Sequence, residues 1–315
     1  MSGVFTFGET MGLVRADSGP WETAHRASVG IGGADSNVAI GLARLGIRAS
    51  WLGRVGDDAL GRRVVRELRA EGIEVHARVV PGTTGLMLKE KRTPHTTSVL
   101  FYRAGSAGST LAREDVPMDI VRDADLVHVT GITAALSRSA RATVEVVIDT
   151  ARDANVPVSF DVNHRPNLWR GEDPGELYRS LAARSDIVFA GDDEARLLLG
   201  PDALLEAPLA LAQEIGDLGP REVVIKLGRR GSLAVIDGRP IVEPAISVPV
   251  VDTVGAGDAF VAGYLAALLS GSDARGRVRH GVTAGAFACL HAGDWEGLPR
   301  PADLALLDSE EPVTR

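Results

Sequence analysis

At 315 residues, 45% hydrophobic and 24% charged, the chain has the composition of a soluble globular protein, with length enough to bury a full core in one large α/β domain or two smaller ones. A formal net charge of −8 argues against a general binder of nucleic acid or membrane surfaces, although it leaves room for a local basic pocket. The single cysteine, Cys289, excludes a disulfide framework or a cysteine-based zinc site within one chain, and its alanine-rich helical context reads as a buried small apolar residue.

The N-terminus, Val4-Phe5-Thr6-Phe7-Gly8-Glu9, has a strand pattern rather than a charged region followed by an apolar run. No apolar stretch reaches membrane-spanning length, so a cytoplasmic chain is expected. Residues 10–30 read as short strands without an intervening helix. Gly32-Gly33-Ala34-Asp35-Ser36-Asn37 follows, opening a helix over 35–45. The glycine pair permits a tight backbone path and close ligand approach. Asp35 and Ser36 can cap the helix or bind hydroxyls, whereas Asn37, third in a row of polar residues, is better explained by a ligand. Gly30-Ile31-Gly32-Gly33-Ala34-Asp35 departs from the dinucleotide-binding Gly-x-Gly-x-x-Gly pattern at its last position.

From there, strands over Ala49–Val55, Leu126–Thr130, Val156–Asp161, Ile187–Ala190, Val223–Leu227 and Leu233–Ile236 alternate with helices over 58–71, 138–154, 175–184, 192–199 and 208–217. This alternation predicts a mostly parallel sheet between helices, with ligands beyond the carboxyl ends of the strands. Residues 83–103 break the pattern: Thr84–Lys91 and Ser98–Arg103 predict a hairpin around Thr93-Pro94, an antiparallel flap that reads as a lid over about 10–30 and 83–104. His128 reads as a core histidine, and strand alternation points His164 away from Asn163 and Arg165, which lie at the carboxyl end of a strand. No histidine–glutamate metal spacing occurs, and the tail from Asp308 to Arg315 is polar.

The most informative stretch is Asp252-Thr253-Val254-Gly255-Ala256-Gly257-Asp258-Ala259-Phe260. An apolar–polar segment, Ile246 to Val251, leads into a turn of small residues, and a helix follows with Val261, Tyr264, Leu265 and Leu268 at helical spacing. Such a turn presents free N–H groups and the positive end of a helix dipole to an anion. Asp258 would repel a resting phosphate, so its presence suggests chemistry. An acid able to take a proton, beside amides able to stabilise phosphoryl charge, is what transfer from ATP to a hydroxyl requires. The Walker-type Gly-x-x-x-x-Gly-Lys-Ser/Thr pattern is lacking.

The 252–260 string resembles the second signature of the PfkB, or ribokinase-like, carbohydrate kinases, and the 32–37 string resembles the first. The resemblance covers essentially the whole chain and implies a single ribokinase-like domain, a mostly parallel sheet sandwiched by helices with a small antiparallel β lid. It further implies that Asp258 is the base, that Gly255, Ala256 and Gly257 form the anion hole, and that Gly32, Gly33 and Asn37 contact the sugar. Lys226-Leu-Gly228-Arg-Arg-Gly231 resembles the family's nucleotide-side loop, with the helix around Thr283–Cys289 walling the adenine pocket. Glu194 matches the Glu of the family's Asn-x-x-Glu element, which influences Mg²⁺ and phosphate binding, although Gly191 stands at the Asn position. Any catalytic metal is expected to be Mg²⁺ held largely by ATP phosphates and water.

The strings Phe101–Leu111, Thr130–Ser137, Asp161–Trp169 and Asp294–Gly297 resemble the 2-keto-3-deoxygluconate kinase branch. That resemblance implies substrate contacts from Phe101, Tyr102, Arg103 and Asp294, and contacts from Asn163 and Arg165 to the substrate and nucleotide region. Two arginines on the active-site side suit a carboxylate, which a guanidinium meets with a planar, permanently charged fork. Met87 stands where a close relative would carry a tyrosine, and Glu9 stands near the sugar-binding Asp of ribokinases, which disfavours ribose. The expected partners are an acid sugar and ATP, with a homo-oligomer formed through the lid. A fructokinase or other neutral-sugar kinase is the alternative on the same fold, and a non-catalytic sugar-binding regulator the alternative of another class.

Overall fold

Consecutive residues of the central strands are apolar on both faces, which commits them to a sheet covered on both sides. The computed structural model describes residues 3–308, apart from 94–95, 170, 202 and 204–206. Its strands are β1 (Val4–Phe7), β2 (Met11–Ala16), β3 (Ala27–Gly32), β4 (Ala49–Gly56), β5 (Glu74–Val80), β6 (Leu86–Thr93), β7 (Thr96–Tyr102), β8 (Leu126–Thr130), β9 (Val158–Asp161), β10 (Ile187–Gly191), β11 (Glu222–Lys226), β12 (Ser232–Ile236) and β13 (Arg239–Glu243). Its helices are α1 (Ala34–Arg44), α2 (Ala59–Ala70), α3 (Met118–Asp123), α4 (Gly131–Leu136), α5 (Arg138–Asp153), α6 (Pro166–Trp169), α7 (Gly175–Ala183), α8 (Asp192–Leu199), α9 (Pro208–Asp217), α10 (Ala256–Leu269), α11 (Ala274–Ala288) and α12 (Pro301–Leu304).

Nine strands form the large sheet in the order β13-β12-β11-β10-β9-β8-β1-β4-β5. Pairing is parallel from β5 through β11 and antiparallel only for β11–β12 and β12–β13. Alternation splits each strand between two cores: Phe5, Val127, Val129 and Val188 pack on one face with α5, α7 and α9, and Val4, Leu126, Phe189 and Val224 pack on the other with α1, α10 and α11. The small sheet, β3-β2-β6-β7, is antiparallel within β2–β3 and β6–β7, and the two pairs join through parallel β2 and β6.

The expected helices appear to within one residue at each end. Strands β5 and β13 and the short helices α3, α4, α6 and α12 are additions. Both strands lie at sheet margins and are largely solvent-facing, so neither carries a strong apolar pattern. Pro94, at the expected hairpin tip, and residues 309–315 of the expected polar tail lie outside the described residues; Thr93 and Thr96 pair across the tip. Among the described residues no helix is long and apolar enough to cross a membrane.

Candidate active site

The turn into α10 begins at Gly255, whose φ of 78° is the left-handed conformation open to glycine, and where a Cβ would collide with the Asp294 carbonyl oxygen. The Ala256 amide donates to the Thr253 carbonyl at 3.3 Å, while Gly257 and Asp258 follow in the first turn, where amides have no intrahelical acceptor. Asp258 is buried. Its Oδ2 accepts from Asn37 Nδ2 at 2.8 Å and its Oδ1 from Asn163 Nδ2 at 3.4 Å. Burial pushes this carboxyl up to about 6, assisted by the Asp161 charge and opposed by the Asn37 hydrogen bond and by Arg165 and Lys226. The two signatures, 221 residues apart, therefore meet side chain to side chain.

Lys226, at the carboxyl end of β11, pairs with both oxygens of Asp161, at the end of β9, at 2.8 and 2.9 Å. Burial alone would pull this ammonium down, but Asp161, Glu194 and Asp258 more than offset it and hold it above its ordinary value. A Cβ on Gly257 would lie 3.7 Å from Lys226 Nζ, so the ammonium sits against the anion turn. Gly228 opens the short helical turn after β11, and Gly231 closes it. Glu194 accepts from the His164 amide and from the Gly191 amide, each at 2.7 Å; its carboxylate braces the loop carrying Asn163 and Arg165. Asp192 pairs with Arg230 at 2.7 Å, a salt bridge rather than a ligand contact.

Register decides which lid residues reach the interior. Met87 pairs with Phe101 and Lys89 with Val99, so these four share one face, while Leu86 pairs with Tyr102 on the other. Phe101, Arg103, Arg138, Arg141 and Arg165 line a cleft of about 860 Å³ between the lid and the helices after β8 and β9. Tyr102, expected beside the substrate, is not brought there; strand alternation lets only one of the Phe101–Tyr102 pair face the cleft, and Tyr102 is 60% exposed on the opposite side. Arg103 is held by Glu9, whose Oε2 accepts from its Nε at 2.7 Å; Ser106 donates to the other Glu9 oxygen. A Cβ on Gly32 would lie 2.5 Å from Asp294 Oδ2 and 2.7 Å from Met87 Cε, which gathers these three positions in one place. Gly33 is the N-cap of α1.

Asp35 and Ser36 do not cap α1. Ser36 donates to the Gly33 carbonyl at 2.9 Å, and Asp35 turns into the sheet, accepting from Thr133 at 2.8 Å and Thr130 at 3.2 Å. Burial pushes the Asp35 carboxyl up to about 7, against those two hydrogen bonds. His128 is a core residue with Nδ1 3.0 Å from Ser159 Oγ; burial pulls it down to about 3, so it is neutral. His164 points away from the site and packs edge-on against Tyr178, its Nδ1 3.0 Å from the phenol oxygen. Cys289, expected to be a buried small apolar residue, is half-buried at the end of α11. Sequence reasoning read Asp161 and Asp252 only within their motifs, with no role for either side chain, and passed over Lys89. The signal for Lys89 was a charge on the inward parity of a strand beginning Leu86-Met87-Leu88.

The pfkB family carbohydrate kinase pattern matches residues 1–301. The chain is similar to the 2-dehydro-3-deoxygluconokinase of Bacillus subtilis (strain 168), 37% identical over 307 residues that cover 95% of this chain and 93% of that protein. It is 34% identical over 292 residues to the 2-dehydro-3-deoxygalactonokinase of Haloferax volcanii, covering 92% of this chain and 91% of the relative. Among solved structures, the 2-dehydro-3-deoxygluconokinase of Thermotoga maritima matches with a TM-score of 0.90 at 25% identity, over 97% of this chain and 98% of the other. A large, mostly parallel sheet between helices, a small sheet over its edge, and an aspartate in the first turn after a glycine-rich approach all agree with that result, and the chain belongs to the pfkB family of carbohydrate kinases, with a ribokinase-like fold.

Proposed function

We propose that the chain transfers the γ-phosphoryl group of MgATP to the terminal hydroxyl of 2-dehydro-3-deoxygluconate, also called 2-keto-3-deoxygluconate. The observation that carries this reading is a buried carboxyl raised to about 6, Asp258, in the first turn of a helix, bonded to Asn163 and acted on by the nearby charge of Arg165, which lines a cleft with Arg103, Arg138 and Arg141. A base of that strength suits proton removal near neutral pH. Four arginines suit an anionic sugar better than a neutral one. The names borne by the similar kinases, which specify keto-deoxy acid sugars, support the same substrate class.

In this mechanism Asp258 takes the proton of the hydroxyl as its oxygen attacks the γ-phosphorus and the bond to the β-phosphate oxygen breaks. The Gly257 and Asp258 amides and the Lys226 ammonium receive charge on the transferred group. Asn37 and Asn163 orient the carboxylate through their amide groups. Arg165 and Arg103 take the sugar's carboxylate, with Met87, Phe101, Gly32 and Asp294 around its body. Gly228 and Gly231 belong to the nucleotide side, and the helix around Thr283–Cys289 walls the adenine. Mg²⁺, when bound, neutralises phosphate charge. Mg²⁺ would be held largely by the nucleotide's phosphates and water, and Glu194 would act on it through the loop that it braces. Such an enzyme works in the cytoplasm, where ATP is supplied.

A coupled ADP-release assay with MgATP against 2-keto-3-deoxygluconate, fructose and ribose tests the reading. A kcat/KM preference for the acid sugar is expected. Preference for fructose would replace the substrate while keeping the kinase.

The outer face of the lid carries an apolar row across all four strands, Val29-Val14-Leu88-Leu100, with Val29 45% and Leu100 48% exposed at its ends. We infer that a second copy of the chain covers it. Light scattering should give a dimer or higher assembly, and Leu100→Glu should shift it toward monomer; a monomeric parent chain overturns this.

A further inference from the structure

Lys89 is an ammonium where the lid should be apolar. It lies on the inner face of β6, where Met11, Leu13, Met87 and Val99 cluster, and its side chain is 2% exposed. Burying a charge there costs several kcal/mol unless each donor finds a partner. Each does. Lys89 Nζ donates to the Gly293 carbonyl at 2.8 Å and to Asp294 Oδ1 at 3.2 Å, and it forms an ion pair with Asp252 Oδ2 at 2.8 Å, so three oxygens surround the three N–H bonds.

Those acceptors come from the two segments that sandwich the anion turn. Asp252 lies three residues before Gly255, and its Oδ1 accepts from the Val254 amide at 3.3 Å, shaping the approach to the turn. Asp294 presses its backbone carbonyl against Gly255 and its other oxygen against Gly32. One lid ammonium thus spaces the start of α10 against the roof over the sugar side. Lys91, next on the same face of β6, reaches the Val251 carbonyl and reinforces the attachment. The 293–298 segment has separate anchors: Arg44 donates to the carbonyls of Trp295, Glu296 and Leu298, and Trp295 Nε1 donates to the Ile31 carbonyl at 3.1 Å. The segment thus has anchors that do not involve Lys89, and Lys89 adds a side-chain tie between it and Asp252, beside the backbone bonds from Val251 and Asp252 to the Cys289 carbonyl.

We propose that Lys89 is a positioning residue for phosphoryl transfer, carrying the placement of the lid into the geometry of Gly255 to Asp258 through Asp252 and Asp294. This rests on the kinase reading but not on the identity of the sugar. Without the ammonium, two buried carboxylates face each other, and the turn and the roof lose the side-chain tie between them.

The test uses full-length protein and whichever sugar of the assay panel the parent chain phosphorylates best. A parent that prefers fructose defeats the acid-sugar reading and leaves this experiment intact. Lys89→Met/Asp252→Asn removes the tie while leaving the formal charge of the Lys89–Asp252–Asp294 cluster unchanged, so it guards against simple misfolding. Its kcat should fall about 10–100-fold, as expected for a misplacement near one ångström, with KM for MgATP nearly unchanged and a cooperative melt retained. Lys89→Ala should regain part of its kcat in ammonium chloride but not in tetramethylammonium chloride at equal ionic strength, because the vacated oxygen cage fits the small cation. A merely structural lysine gives neither the kcat-only loss nor the ion-specific rescue. A double variant with kcat within about twofold of the parent, or a Lys89→Ala loss that ammonium does not touch, overturns the proposal.

Discussion

Asn37 Nδ2 donates to Asp258 Oδ2 at 2.8 Å, joining the first turn of α1 to the first turn of α10 in the buried centre of the site. This bond favours the ionised carboxylate and so lowers the Asp258 value that burial has raised to about 6. The parent enzyme should therefore lose kcat/KM about tenfold per pH unit below about pH 6, where the base becomes protonated. Asn37→Ala should move that acid limb to higher pH, since the group that held the value down is gone. An unmoved limb would separate the pH dependence from this pair.

Asp258→Asn keeps the size of the side chain but cannot take the proton. Turnover should fall roughly 10²–10⁴-fold, and the acid limb should vanish from the residual activity. Retained turnover with the same limb would place the base elsewhere.

Both signatures were legible because consecutive residues at two helix starts spell them out, and helix boundaries followed from apolar spacing and small-residue turns. The polar partnerships were not legible, because each is settled by tertiary contact. Asp35 has the sequence position of a capping residue, yet its carboxylate lies against Thr130 and Thr133, 95 and 98 residues away. Phe101 and Tyr102 look equivalent in the sequence, and only the pairing of β6 with β7 sends one inward and the other to solvent. Arg103 reads as a partner of the substrate's carboxylate, but Glu9 arrives from β1's far end to hold it as well.

That hold shapes the next expectation. Glu9 already balances Arg103, whereas Arg165 is exposed and bonds only to the His164 carbonyl among the described residues, at 3.0 Å. Arg165→Ala should therefore cost an acid sugar more than Arg103→Ala, roughly 2–5 kcal/mol in kcat/KM, and cost a neutral sugar little. Equal losses for acid and neutral sugars would show that neither arginine reads the carboxylate.

Lys226 and Asp161 form a pair in which the aspartate side chain is 1% exposed and the lysine 18%. Lys226→Met strands a buried carboxylate, and removing one partner of such a pair costs about 3–5 kcal/mol. Melting should fall accordingly, and KM for MgATP should rise because the ammonium against the anion turn is lost. Lys226→Met/Asp161→Asn should regain much of the stability but not the nucleotide affinity. Regain of both would make the pair purely structural.

Asp35 sets an expectation for stability rather than rate. Its carboxyl stands at about 7 in the folded chain against an ordinary 3.8, so between those values the native state holds the proton and the unfolded state does not. Stability must then fall as pH rises from about 4 through about 7, by roughly 1.4 kcal/mol per unit from this group. Asp35→Asn cannot ionise and removes that slope. Whatever the substitution costs through altered bonds to Thr130 and Thr133, the gap between variant and parent should shift in the variant's favour by on the order of 2–3 kcal/mol between about pH 5 and pH 8. Denaturant melts at the two pH values measure it directly, and a gap that does not change with pH would mean that Asp35 is ionised in the folded protein.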